Sequence, residues 1–143
     1  MTTVPISLNL EEATLDRLAE RERETGQTQS ELAEQYIEEG LRMQRHPGIS
    51  FQDGATGRRA VLRGGPDVWE AIQAIQPVDG DDAPDVSVEE ATSWLGLSPW
   101  IMQAAMNYYA EFTEEIDERI ALNRRAYAEG YAAWRAAQGL PTE

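Results

Sequence analysis

Side chains that could do chemistry are few in this chain, and their spacing suits catalysis poorly. There is one histidine, His46, and no cysteine. That excludes thiol catalysis, disulfide scaffolds, zinc ribbons, multi-histidine metal sites and most triad chemistry. One acidic cluster has metal-like spacing: Asp79, Asp81, Asp82 and Asp85 with Glu90. Asp79 and Glu90 match the first and last ligand positions of an EF-hand, but Ala83 and Pro84 stand where a further acid and the turn glycine belong. The cluster therefore reads as a solvated linker. Gly54-Ala55-Thr56-Gly57-Arg58 lacks the glycine spacing and the lysine of a phosphate loop and reads as a hairpin turn. His46, before Pro47, is expected to be a cap or a surface group. No convergent acid–base pair is visible, so no enzyme is expected, and neither a metal nor a cofactor.

Charge narrows the partners. All 12 basic residues are arginine, against 26 acids, giving a formal net charge of −14. Residues 1–44 hold four arginines and ten acids, residues 45–80 four of each, and residues 81–143 four arginines and twelve acids. Such a surface repels bulk nucleic acid and suits a basic partner. Arg58, Arg59 and Arg63 form the densest basic cluster; touching DNA backbone, binding a protein partner and pairing with nearby acids all remain open for them. No apolar run reaches the roughly 18 residues of a membrane span, and MTTVPISLNLEE lacks a charged-then-apolar signal layout. A cytoplasmic protein is expected.

The elements that must position these residues can be read from periodicity. A chain of 143 residues fits one ordinary domain or two small ones, and 19 of its hydrophobic residues are alanines, so large core side chains are scarce. In Val4-Pro5-Ile6-Ser7-Leu8-Asn9-Leu10 apolar residues alternate, the period of a strand with one buried face, leaving Thr3, Pro5, Ser7 and Asn9 on the other face. Asn9 can cap a helix starting at Leu10 or Glu11, and Gly26 stops it. Thr28 with Glu31 forms a capping box opening a second helix, which runs through Leu32, Ala33, Tyr36, Ile37 and Leu41 and closes before Pro47. A lone strand followed by two short helices cannot bury a core unaided. Two copies pairing their strands antiparallel would solve this.

Beyond Pro47, Ile49–Phe51 and Ala60–Leu62 read as a hairpin, and Pro66-Asp67 opens a helix over residues 68–75. An acidic connection over residues 77–86 leads to helices over about 88–95 and 99–110, separated by a glycine-containing turn in a helix-turn-helix layout. On the second of these, Trp100, Gln103 and Asn107 are expected outward and Trp94, Leu97, Ile101 and Ala105 inward, with structural packing as its role. From Glu111 onward one long helix carries Phe112, Ile116, Ile120, Asn123, Tyr127, Tyr131 and Trp134 in a single stripe.

Residues 3–42, through ISLNL, the leucines of LDRLAE and Gly26-Gln27-Thr28-Gln29-Ser30, resemble the ribbon-helix-helix family of DNA-binding dimers. Residues 46–125, through HPGISFQDGATGRRAVLRGGPDVWE and WLGLSPWIMQAAMNYYAEFTEEIDERIALN, resemble small bacterial domains that recur in toxin–antitoxin operons. The combination is similar to antitoxins of type II modules, often paired with PIN-domain ribonuclease toxins. The resemblance implies a mainly α fold: an intertwined ribbon-helix-helix dimer over residues 1–45, a β-hairpin and helix-turn-helix-like domain over 46–110, and a long partner-binding helix over 111–143. It implies that Thr3, Pro5, Ser7 and Asn9 meet base edges in the major groove, while Thr28, Gln29 and Ser30 hold a phosphate at a helix N-terminus. Family members commonly carry a basic residue on that strand face; this chain has none, so affinity from counterion release should be weak. It also implies that Tyr127, Tyr131 and Trp134 form the toxin-binding face, with Arg124, Arg125 and Arg135 available to pair with the toxin's carboxylates. The implied function is neutralisation of a toxin and repression of the chain's own operon through operator DNA. The alternative is a homodimeric regulator without a toxin.

Overall fold

A computed structural model describes residues 2–77 and 86–140. The four aspartates of the EF-hand-like spacing lie outside these residues. Six helices and one two-stranded antiparallel sheet make a mainly α protein: α1 Glu12–Thr25, α2 Gln29–Arg45, β1 Ile49–Gly54, β2 Gly57–Leu62, α3 Val68–Ile75, α4 Val88–Trp94, α5 Pro99–Glu111 and α6 Thr113–Ala137. The chain separates into two compact units, 1–42 and 43–143, the division falling in the last turn of α2.

In the first unit, local signals are answered closely at the turn. Gly26 takes φ 74° and its N–H returns to the Glu22 carbonyl, closing α1. The Thr28 hydroxyl accepts from the Glu31 N–H at 3.1 Å, and the Glu31 carboxylate accepts from the Thr28 N–H at 3.0 Å. The start of α1 differs from expectation. Its N-cap is Glu11, extended and without a side-chain cap bond, so the helix begins past the reach of Asn9. Residues 2–11 carry no strand assignment in the single chain. A strand needs a neighbour for its N–H and C=O groups, and this unit contains none. Val4, Ile6, Leu8 and Leu10 are exposed, and so are Ile37 and Leu41 on α2. Within α1 and α2 only Leu32 and Glu39 are buried.

The second unit has a closed core. The hairpin pairs Ile49 with Leu62 and Phe51 with Ala60, so one face of the ribbon is apolar. Ala55 and Thr56 make the tight turn, and Gly57 at φ 101° supplies the left-handed step that follows it. Helix α3 touches β2, α4, α5 and α6, and the core gathers Ile49, Leu62, Val68, Ile72, Met102, Tyr108, Ile116 and Ile120. Ser87 and Glu90 form a capping box on α4, which occupies the Glu90 carboxylate. Ser98 caps α5, with Pro99 in its first turn. Phe112, at φ −115° and ψ 45°, breaks the helix path between α5 and α6.

Two expectations for this unit require correction. Trp94 is not inward: it is 82% exposed. Val88, Ala91, Thr92 and Leu95 set the inner face of α4, and a residue at position 94 falls about 110° away from it at 100° per residue. His46 is not a surface group: it is buried, with Nε2 2.8 Å from the Glu111 carboxylate. The same oxygen accepts from Arg45 Nε at 2.9 Å, and the imidazole meets the rings of Tyr108 and Phe112 edge-on.

Tyr108 is the largest fully buried side chain, and its hydroxyl donates to Glu115 at 2.7 Å. Tyr108→Ala should cost about 3–5 kcal/mol of stability. Tyr108→Phe, which removes only the hydroxyl, should cost roughly 1 kcal/mol. Urea unfolding of the full chain measures both.

Candidate functional site

Three surfaces could carry function: the N-terminal segment with its helix pair, a cleft in the second unit, and the outer half of α6. In the first, Thr3, Pro5, Ser7 and Asn9 are all exposed, as are Thr28 and Ser30, with Gln29 half-buried. The capping box occupies both the Thr28 hydroxyl and the Thr28 N–H and sets the Glu31 carboxylate at the start of α2. An anion at that helix N-terminus would meet this negative charge. Beside it lies an apolar groove of about 360 Å³ lined by Leu8, Leu10, Leu18, Ala33, Tyr36 and Ile37. Arg21 braces its wall, donating from Nε to the Tyr36 hydroxyl at 2.9 Å while pairing with Glu24.

The second surface is a cleft of about 350 Å³ among the hairpin turn, α3 and α6. Asp67 organises it. Its carboxylate takes Arg59 Nε at 2.8 Å and Trp69 Nε1 at 3.1 Å, which leaves it unavailable to cap α3. Arg119 reaches back from α6 to the Thr56 carbonyl, the Thr56 hydroxyl and the Arg58 carbonyl, tying the helix to the hairpin. A Cβ at Gly54 would meet the far end of the Arg59 side chain, which would have to shift. Of the three clustered arginines, Arg58 pairs with Asp53 across the hairpin and Arg59 with Asp67. Arg63 is exposed and makes no ion pair among the described residues. The Glu70 carboxyl, also lining the cleft, is pushed above its ordinary range by burial and then by the Asp67 carboxylate.

These contacts bear on the HPG…GGPDVWE string that carries the resemblance of residues 46–125. Gly48, at φ 97°, lies under the Trp100 ring, Gly65 approaches Leu97, and His46 and Asp67 hold the two polar networks. Packing of this unit accounts for much of the string.

The third surface is α6. Ile116 and Ile120 are buried, while the described residues from Arg124 to the helix end are exposed, apart from a half-buried Arg135. Tyr127, Tyr131 and Trp134 continue the face that Ile116 and Ile120 bury, at 76%, 48% and 53% exposure. Tyr131 and Trp134 stack with centroids 6.0 Å apart, and Arg135 lies over the Tyr131 ring while donating to its hydroxyl. At 100° per residue Arg124 and Arg135 flank the aromatic face. Arg125 falls on the other side of the helix and is not brought together with it.

The chain matches no protein-family model, no curated protein and no solved structure. Among the described residues no helix is long and apolar enough to cross a membrane.

A carboxyl that holds its proton more tightly when folded favours folding at low pH, and that contribution is lost as pH rises from its unfolded pKa through its folded one. Glu70→Gln should therefore raise stability near neutral pH, and the gain should vanish below about pH 4. Thermal unfolding of both chains across this range gives the comparison.

Proposed function

We propose that the chain is the antitoxin of a type II toxin–antitoxin module. Residues 3–10 pair with the same segment of a second copy to form a ribbon-helix-helix dimer that binds operator DNA. The outer half of α6 engages the toxin, a PIN-type ribonuclease. The observation that carries this reading is the open apolar surface of the first unit. Alternating Val4, Ile6, Leu8 and Leu10 lie exposed beside a helix pair whose own groove is unfilled. Burying four such side chains in each copy is worth on the order of 1.5–3 kcal/mol apiece. Pairing two segments would also satisfy the backbone groups that one segment leaves to solvent.

Strand pairing turns Ser7 and Asn9 to the face opposite the leucines. Asparagine can pair bidentately with adenine, and serine can contact several bases. The α6 face suits a protein partner, since aromatic side chains and arginine dominate binding hot spots. Residues 122–140 carry three arginines against one acid, the reverse of the chain as a whole. That favours a partner with acidic character, such as the carboxylate cluster of a magnesium-dependent ribonuclease.

The parts can be separated by mutation. Ile6→Asp should convert the full-length dimer to monomer in sedimentation and abolish retardation of DNA from upstream of its own gene. Ser7→Ala with Asn9→Ala should leave the dimer intact and lose about 1–3 kcal/mol of discrimination for each base contact. Tyr127→Ala with Trp134→Ala should release the product of the adjacent reading frame on co-expression while leaving DNA binding unchanged. A wild-type chain that sediments as a monomer at micromolar concentration would overturn the dimer. An adjacent product that is harmless alone and does not co-purify would leave a DNA-binding regulator without a toxin.

A further inference from the structure

Helices α4 and α5 close only partly on each other and leave a groove of about 640 Å³. Its floor is the buried pair Met102 and Thr92, and its walls are the half-buried Val88, Leu97 and Met106. Pro99, Met102 and Met106 fall three and four residues apart on one face of α5, and Val88 and Thr92 fall four apart on α4. The groove therefore follows about two helical turns, roughly 10 Å. Its polar groups are largely spent. The Thr92 hydroxyl donates to the Val88 carbonyl, and the Gln103 amide on the rim donates to Asn107. Methionine is unbranched and adaptable, so a groove built on two of them can mould to an inserted side chain.

Charge says what can enter. Residues 64–118 contain thirteen acids and not one arginine or lysine. Every charged side chain on α3, α4 and α5 is therefore negative. Glu90 is held in its capping box and Glu111 by Arg45 and His46, but Glu89 stands exposed on the groove's own rim. One turn beyond Met106, Tyr109 donates to Asp117 at 2.7 Å and brings a further carboxylate to that end of α5. An apolar hollow set in so negative a surface suits an apolar ligand edged with positive charge. Within this chain the arginine-bearing apolar stretches are already used. Ala60, Val61 and Leu62 beside Arg59 lie buried, as does Ile120 beside Arg119, and the outer half of α6 is assigned above to the toxin.

We propose that the α4–α5 groove docks a short basic amphipathic helix of another protein. Apolar side chains spaced three and four apart along that helix fill the space over Met102 and Met106. A lysine or arginine flanking them pairs with Glu89. The site uses none of the residues given above to DNA or to the toxin, so it stands whether or not the chain is an antitoxin.

The methyl resonances of the four methionines read this site in the full chain. The probe is a leucine–lysine peptide of about 15 residues, long enough to hold a helix, with its leucines three and four apart. It should shift Met102 and Met106 saturably and leave the exposed Met43 in place. The same peptide with glutamate for lysine should shift neither. Glu89→Lys should weaken binding several-fold, and Ser93→Trp, which fills the groove from its exposed rim, should remove the Met106 response. Glu20→Lys, the same charge change on an exposed face of α1, should alter nothing. No shift, an equal shift at Met43, equal binding of the two peptides, or equal loss in Glu89→Lys and Glu20→Lys would each overturn the proposal. So would a Met106 methyl that moves on dilution of the protein alone, which would give the groove to a second copy.

Discussion

A strand-length segment with no strand to pair with constrains everything proposed for this molecule. Val4, Ile6, Leu8 and Leu10 alternate as a buried-face strand would, and they sit exposed in the single chain. The helix pair beside them buries Leu32 but leaves Ile37 and Leu41 open. A unit that exposes this much of its apolar surface is incomplete rather than merely small. The proposed second copy would complete it with backbone pairing and side-chain burial at once, and each of those needs the other. Pairing alone would leave the apolar faces wet, and burial alone would leave backbone groups without partners.

The second unit has the opposite economy: its core is closed, and polar contacts set its geometry. Asp67 serves Arg59 and Trp69 together, Glu111 serves Arg45 and His46, and Arg119 fastens α6 to the hairpin turn. Asp67 with Arg59 and Trp69, and Glu111 with the buried His46, are partly shielded and multiply bonded, which distinguishes them from exposed ion pairs of little worth. The consequence lies in α6. Arg119, Ile116 and Ile120 hold its first half in place, so the second half is presented as a preformed helix from a fixed base. A partner meeting a preformed helix need not order it, and less of the contact energy is lost on binding.

Much of this was legible in local pattern, because local pattern encodes local bonds. Gly26 at a left-handed C-cap, Thr28 with Glu31 at the next N-cap, the hairpin turn at Ala55–Gly57 and the break near Phe112 each follow from residues within four positions. What stayed hidden depends on distance along the chain. His46 finds Glu111 65 residues away, and nothing near either residue signals it. Helix α1 begins too late for Asn9 to cap it, and the phase of α4 turns Trp94 outward. The division of α6 into a buried half and an exposed half was legible in part, since its stripe is aliphatic at Ile116 and Ile120 and aromatic at Tyr127, Tyr131 and Trp134. Periodicity tells which side of a helix is apolar; only the surrounding fold tells where the cover ends.

Charge sets the order of the proposed binding events. Thr3, Pro5, Ser7 and Asn9 include no basic residue, and the first unit is acidic, so in the proposed DNA complex contact with phosphate would contribute little to affinity. Base-edge contacts from Ser7 and Asn9 can select a sequence, yet selection without that electrostatic attraction leaves a weak complex. Affinity must then come from repetition: two half-sites per dimer, or neighbouring dimers held together. The cationic outer half of α6 would instead offer Arg124 and Arg135 to the proposed acidic protein partner.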